Sequence, residues 1–341
     1  MNALTLVGGS FEEDLFPFSL TRSVADIRCG ILTIREKWNA YAKHYPALIH
    51  YSLPANLIPR QDLVDSLLAN DTLLLQKWPR KLLQATDIIR FNDEEIRHDF
   101  ELITRGRQSE PVSATNKLSG HSIFIEKGAV VEHCFLNASE GPIYIGRDAM
   151  VMEGSMIRGP FALGEKGVVK MGSKIYGASS AGPACTLGGE IKNSVIFGYS
   201  NKAHDGYLGD SVIGEWCNLG AGSSNSNLKN SGGEVKYWNP IKKTFVGAGQ
   251  KSGLLMGDYS RSAINTSFNT GTLIGVCCHV FGIGPTPAYL PSFSWGYDQE
   301  RYDFDKAIQH ISQWRKLKNR QLDPEEIHLL KSIFDQQKPS K

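Results

Sequence analysis

Aliphatic residues recur at every sixth position through the middle of the chain. From Ile145 the series runs through Val151, Ile157, Leu163, Val169, Ile175, Ala181 and Leu187 without interruption. Glycine follows four of them (Gly146, Gly164, Gly182, Gly188), and the fourth residue on is mostly small: Ala149, Ser155, Gly167, Ser173, Ser179, Cys185. A period of six fits neither the 3.6 of a helix nor the 2 of a half-buried strand. It is the hexapeptide repeat of a parallel β-helix, in which each hexad supplies one short strand and one turn. The aliphatic side chain points inward and stacks on its counterpart one coil away, at the ~4.8 Å spacing of paired strands. The register is already present at Ile125 and Val131 and slips across "NASEGP" and again after Leu187. It resumes at Ile213 and Leu219, breaks over "SSNSNLKNSGGEVKYWNPIKK", and finishes with Met256, Ser262, Phe268, Ile274 and Val280. Breaks in a solenoid map to loops, often on the binding face.

The flanks have a different texture. "LTLVGG" predicts a strand, and a helix is expected around Ile31 to Tyr41. In "NDEEIRHDFELITRG", Asn92 stands as N-cap with Glu95 as its capping-box partner; Ile96, Phe100 and Ile103 share a face, and Gly106 ends the helix. "GIGPTPAYLPSFSWG" reads as an extended connector. A helical tail follows, with Ala307, Ile308, Ile311 and Leu317 as one stripe; its second helix has Asp323 as N-cap, Pro324 first and Glu326 as box partner. Three parts are expected: a reduced α/β domain over 1–110, the β-helix over 111–283, and connector plus helical tail over 284–341. The fold class is mainly β.

Composition narrows the function classes. The 341 residues carry 37 basic and 35 acidic side chains, so no global field points to nucleic acid or a membrane. Six cysteines without a C-x-x-C pair suit reduced thiols better than disulfides or zinc. The opening "MNALTLVGGSFEED" turns acidic too early for a signal peptide, and no run approaches a membrane span, so a cytoplasmic protein is expected. No histidine pairing suggests a metal site. Among 34 glycines, many fall in "SNKAHDGYLGDSVIGEWCNLGAG", where His204 sits among small polar residues. Its ordinary reading is a solvated turn residue. Its chemical reading is a general base, since an imidazole with an ordinary pKa near 6.5 can take a proton from an amine.

The stretch "NKAHDGYLGDSVIGEWCNLGAGSSNSNLK" resembles the acetyltransferase half of the bifunctional family that makes UDP-N-acetylglucosamine, with its K-A-x-H-x-x-Y-L-G-D, I-G and N-x-G-A-G motifs. "LFPFSLTRSVADIRCGILTIREKW", "MGDYS", "FNTGT" and "PSFSWG" are similar to a subgroup with a reduced nucleotidyltransferase-like domain. The resemblance implies a left-handed coil, a homotrimer with sites at subunit boundaries, acetyl-CoA as acyl donor, and a sugar phosphate or nucleotide sugar as acceptor. By position, His204 falls on the catalytic base and Lys192 on a lysine that holds the sugar phosphate. Tyr207, Asn218 and Asn227 fall on further sugar-site residues, and Ala221, with Gly222 beside it, on a backbone contact near the acetyl group. Two positions depart from the family: Lys174 stands for its phosphate-binding arginine, and Ile264 for a serine that contacts coenzyme A. The N-terminal "LVGGSFEEDLF" has acids where a nucleotide-phosphate loop needs a basic residue. Arg22 and Arg28 could still meet a phosphate, though arginines pinning a helix to its strand or to the coil are the favoured reading, and Mg²⁺ is implied only if that domain is active. The alternatives are a sugar-1-phosphate nucleotidyltransferase and a non-catalytic trimeric sugar-nucleotide-binding scaffold.

Overall fold

The computed structural model describes residues 4–71 and 73–336. From Lys117 onward the chain winds as a parallel β-helix whose short strands stack into three faces. The first face has nine strands, from Ile123–Ile125 to Tyr289–Leu290. The second runs from Val130–Val131 to Asn201–Lys202, then through single bridges at Asn218 to Arg261–Ser262, His279–Val280 and Ser294–Trp295. The third carries Lys117–Ser119, Phe135–Asn137, Met156–Arg158, Lys174–Tyr176, Glu190–Lys192 and Tyr207–Gly209. Leu163 pairs with Ile145 below and Ala181 above, Val169 with Val151 and Leu187, and Ile175 with Ile157, so the hexad residues form inward columns as the period requires. All belong to one continuous core. The later run behaves likewise: Met256, Phe268, Ile274 and Val280 are buried, as is the polar Ser262.

The coil does not stop where the proline-rich segment begins. Leu290 pairs with Ile274 and Trp295 with His279, so part of the expected connector is another rung. Proline is tolerated because Pro287 and Pro291 flank the strand Tyr289–Leu290 without entering it, and Pro285 makes only a single bridge, to Ser267.

Among the described residues six α-helices flank the coil: α1 (Ile34–His44), α2 (Gln61–Leu68), α3 (Leu73–Lys77), α4 (Asp87–Thr104), α5 (Phe304–Lys316) and α6 (Pro324–Gln336). With one two-stranded parallel pair, Thr5–Val7 and Ser52–Pro54, α1 to α4 form the small α/β region. That region is fused to the first face: Phe18, Trp38 and Ile88 share a core with Val195, Phe197, Val212, Leu255 and Leu273 of the coil. Arg22 ties it down by binding Asp258 and Glu215, the latter at 3.1 Å, and Thr21 Oγ1 donates to Asp258 at 2.6 Å. Arg28 donates to the Ile31 carbonyl and lies against Gly182 of the coil. Both arginines are pins. The interrupting segment folds as an antiparallel hairpin, Lys236–Asn239 with Thr244–Gly247. Its Tyr237 joins the N-terminal core and its Lys242 pairs with Asp14 at 2.6 Å, so "WNPIKK" leads toward the N-terminal region.

Two helix readings change. Asn92 is not an N-cap, because α4 begins five residues earlier at Asp87. Asn92 is fully buried where α4 crosses the coil, donating to the Ala178 carbonyl at 2.7 Å and accepting from Gly30 N–H and Ser180 Oγ. Glu95 is a buried ion-pair partner rather than a capping residue. The shared face of Ile96, Phe100 and Ile103 does pack together, against Ile31, Ala162 and Ala178. In α6 the Glu326 carboxylate accepts from Asp323 N–H at 3.2 Å as the capping box requires, while Asp323 accepts from Glu325 N–H. Leu317 leaves the tail stripe: it is exposed, lying just past the end of α5.

The N-terminal region thus covers the first face, and α5 and α6 cover the far end of the second, with Ala307, Ile311, Leu330 and Ile333 packed on Trp216, Tyr259 and Phe293. Among the described residues the third face is left uncovered, with Phe135 and Met156 exposed on it.

Candidate functional site

On the third face, pairing register puts Lys174, Glu190 and Tyr207 in one column on successive rungs, and Tyr176, Lys192 and Gly209 in the next. The Lys192 ammonium lies 5.6 Å over the Tyr176 ring, and the Tyr176 hydroxyl donates to Glu190 at 2.6 Å. Hydrogen bonding to a carboxylate pushes the Tyr176 phenol above its usual range. Tyr207 lies across Gly209: a methyl group there would sit 2.2 Å from the Tyr207 hydroxyl oxygen. Asn227 donates to that hydroxyl at 3.0 Å and also to Asp210, whose other oxygen accepts from Asn193 at 2.6 Å. Burial and then Asp210 push the Tyr207 phenol up to about 12, so it stays a neutral hydroxyl. Lys174, Lys192, Tyr207 and Asn227 therefore lie on one uncovered surface. A groove of about 410 Å³ continues from Lys174 and Tyr176 along Phe135, Met156 and Arg158.

His204 occupies the corner between the strands Asn201–Lys202 and Tyr207–Gly209, and it is exposed. Small residues stack at that corner because the rungs come too close for side chains. A methyl group on Gly188 would lie 2.3 Å from the Ala203 carbonyl, and one on Gly220 2.3 Å from the Ala263 carbonyl. Gly206, two residues past His204, has φ +121, and a methyl there would lie 2.0 Å from the Ser223 carbonyl. Ala221 sits one rung on from His204, and Ile264 one rung further, 68% exposed beside a hollow of about 290 Å³ lined by Phe281, Pro285 and Tyr297. Gly222 holds the turn itself: its N–H donates to the Asp205 carbonyl at 3.0 Å, and at φ +72 it faces the Asn265 amide. Of these two corner amides, only that of Ala221 has no partner among the described residues. Asn218 lies around the corner on the second face, within 3.5 Å of the Asn201 amide and bridged to Arg261. It is not on the surface of Lys192 and Tyr207.

One residue beneath the corner escapes the hexad pattern. Lys202 pairs with Leu187 and points into the coil, where its ammonium donates to the Gly188 carbonyl at 3.0 Å and to the His204 carbonyl. It fixes the backbone that carries the histidine. The coil has shortened by this rung, so no six-residue count reaches Lys202. Burial, opposed only by Asp205, pushes its pKa down to about 8. The folded lysine therefore loses its proton near pH 8, while the unfolded one keeps it to about 10.5. Between these values the unfolded chain binds more protons, so this group makes stability rise with pH. Urea titrations at pH 7.5 and 10 should show wild type gaining stability relative to Lys202→Met; parallel pH profiles would place the ammonium in solvent.

In the N-terminal region the Gly8–Gly9 turn leads into a 3₁₀ turn, Ser10–Leu15, with Glu12 and Glu13 in its first turn. The Glu12 carboxylate folds back to where a methyl on Gly8 would meet it at 2.2 Å. A nucleotide phosphate approaching these amides would meet a like charge, so the turn does not fit the Mg²⁺–nucleotide role. Glu95, His98 and Asp99 lie close together, but the Lys37 ammonium already sits among the carboxylates, 2.9 Å from Glu95. All six cysteines are free and buried. No helix among the described residues is long and apolar enough to cross a membrane.

A parallel β-helix preceded by a small α/β region and bearing a basic, tyrosine-lined face beside a glycine corner defines the class, and sequence comparison narrows it. Residues 4–76 match the sugar nucleotidyl transferase family. The bifunctional protein GlmU of Methanocaldococcus jannaschii is 36% identical over 91 residues, 27% of this chain and 22% of that protein. The bifunctional sugar-1-phosphate nucleotidylyltransferase/acetyltransferase of Sulfurisphaera tokodaii is 37% identical over 92 residues, 27% and 23% of the two chains. The bifunctional protein GlmU of Rippkaea orientalis is 40% identical over 83 residues, covering 24% and 17%. The chain thus spans less than a quarter of the length of these relatives. A solved structure of the polysialic acid O-acetyltransferase OatWY is 17% identical and covers 53% of this chain and 83% of its own, at a TM-score of 0.28, too low to bear on the site. The matched segment lies ahead of the β-helix, and the relatives are bifunctional proteins of the kind that the motifs around His204 resemble.

Proposed function

We propose that this chain transfers an acetyl group from acetyl-CoA to the amino group of an amino-sugar phosphate or nucleotide sugar. The observation that carries this reading is the placement of Lys174, Lys192 and Tyr207 together on the third face, bordered by the corner that holds His204. The lysines supply point charges for a phosphate, and Tyr207 with Asn227 supplies neutral polar groups for a sugar. His204 takes a proton from the substrate ammonium, freeing the nitrogen lone pair to attack the thioester carbonyl carbon. The carbonyl oxygen becomes negative and is met by the unpartnered Ala221 N–H. Collapse re-forms the carbonyl, breaks the carbon–sulfur bond and sends the imidazolium proton to the departing coenzyme A thiolate, while the second proton of the former ammonium leaves the new amide nitrogen for solvent, so that one proton is released overall. The acetyl-CoA chain would lie along the corner toward the hollow beside Ile264.

The bare third face, with Phe135 and Met156 exposed, suits a homotrimer in which neighbouring coils complete each site. Light scattering should show a trimer at micromolar concentration; a stable monomer would remove this part. Nucleotidyl transfer has in its favour the family match over 4–76 and the nucleotidylyltransferase activity in the name of the Sulfurisphaera tokodaii relative, and against it Glu12 over the Gly8–Gly9 turn. The deciding experiment is a coenzyme A release assay across amino-sugar phosphates, run beside a pyrophosphate release assay with UTP, a sugar 1-phosphate and Mg²⁺. Thiol release with an amino sugar and no pyrophosphate supports acyl transfer. Pyrophosphate alone would replace it with the second reading, and neither would favour a binding scaffold.

A further inference from the structure

Arg261 is a charged side chain with its counter-charge missing. It sits on the second face, between Asn218 on the rung below and His279 on the rung above, and only 7% of it is exposed. Trp314 of α5 caps the guanidinium at 5.1 Å. Its Nε and Nη2 are both buried and have no hydrogen-bond partner, and no carboxylate among the described residues lies within ion-pair distance. Its ionisable neighbours are the basic His279, His310 and Lys306, the last with its ammonium 4.9 Å over the Trp295 ring, and Cys217, Cys277, Tyr259 and Tyr302, whose thiols and phenols are pushed up by burial and carry no charge to balance it. The acids of nearby elements are engaged elsewhere. Asp258 binds Arg22, Glu326 binds Arg315, and Asp303 caps α5.

A guanidinium cannot discharge itself by losing a proton at the pH of a folded protein. Leaving it buried and unpaired is costly, and each orphaned N–H adds to that cost. The two unused donors have a specific geometry. Nε–H and Nη2–H are the parallel pair on one edge of the fork, the edge that takes two oxygens of a carboxylate or phosphate side by side. We infer that Arg261, walled by Trp314 and flanked by Asn218 and His279, is a binding site for a small oxyanion that presents two oxygens, a phosphate or carboxylate group. The site stands apart from the acyl-transfer reading and needs no part of it.

His279 supplies a built-in reporter. It stacks on Trp295 at 4.7 Å, and its Nε2 lies 3.3 Å from the Tyr302 hydroxyl, which also bonds His310. Burial first, and then the charges of Arg261, His310 and Lys306, hold its pKa down to about 4. A bound anion offsets those charges and raises it.

The test uses the full chain, calorimetry, and inorganic phosphate or acetate in chloride-matched buffer. Wild type should bind one anion per chain saturably, and Arg261→Met should weaken that binding at least tenfold while raising Tm in anion-free buffer. If that variant fails to fold, histidine ring NMR on wild type decides, with the His279 pKa rising when phosphate or acetate is added. Stronger response to phosphate or to acetate identifies the class of oxyanion. No saturable heat from either anion, equal binding by Arg261→Met, or an unmoved His279 would overturn the inference.

Discussion

Replacing His204 with alanine should lower kcat/KM for acetyl transfer by roughly 10²–10⁴ and leave the fold intact. The size follows from the role: general-base assistance is lost, while substrate binding and the corner amide remain. The intact fold follows from exposure, because the side chain buries little and makes no hydrogen bond among the described residues. Lys192→Ala should behave differently. On the proposed reading its ammonium would face a phosphate whose charge is the same in ground and transition states, so the loss should fall mainly on KM. Steady-state kinetics and circular dichroism on both variants separate the two roles. An active wild type whose His204→Ala variant keeps full kcat/KM would make the histidine a turn residue.

Lys37→Met should be the most damaging single change to stability, costing about 3–5 kcal/mol. Lys37, Glu95 and Asp99 are all fully buried, and one ammonium serves both carboxylates. Burial alone would pull the Lys37 pKa down, but Asp99 and Glu95 outweigh it and hold it above the usual range. Asp99 is raised by burial but lowered more by Lys37 and its hydrogen bonds, which include the Ile31 and Leu32 N–H groups. Truncating the lysine leaves two buried carboxylates facing each other, with Arg60 reaching only Glu95. α1 and α4 should loosen together, and with them the N-terminal cover of the first face. Chemical denaturation of Lys37→Met against wild type measures this; a loss under ~1 kcal/mol would mean that water reaches the cluster.

Much of the coil is legible in the sequence because its period is local. Each inward position from Ile145 to Leu187 is fixed by a neighbour six residues away. Legibility fails where coils shorten: Leu163 pairs with Ala181, eighteen residues on, whereas Ala181 pairs with Ile196, fifteen on. After that slip the stacking partner of Leu187 is Lys202, which no aliphatic count selects. Asn92 shows the other limit. Its spacing from Glu95 matches a capping box, yet both are buried through contacts with residues far away in the chain, at Ala178 and Lys37. Local signals rank a cap; only packing of α4 across the coil reveals a buried amide. The candidate site divides the same way. Lys174, Lys192 and Tyr207 share a face that pairing register makes visible, whereas the position of Asn218 around the corner depends on where the rungs turn.

The most direct measurement is the bond formed on the acceptor. Carbonyl-labelled [¹³C]acetyl-CoA would be incubated with the purified chain and the best amino-sugar phosphate, and the product read by NMR. An amide carbon on the sugar nitrogen, formed in step with coenzyme A release and suppressed in His204→Ala, is the predicted result. An ester on a sugar hydroxyl, or label that stays on coenzyme A with every amino sugar, would contradict the account.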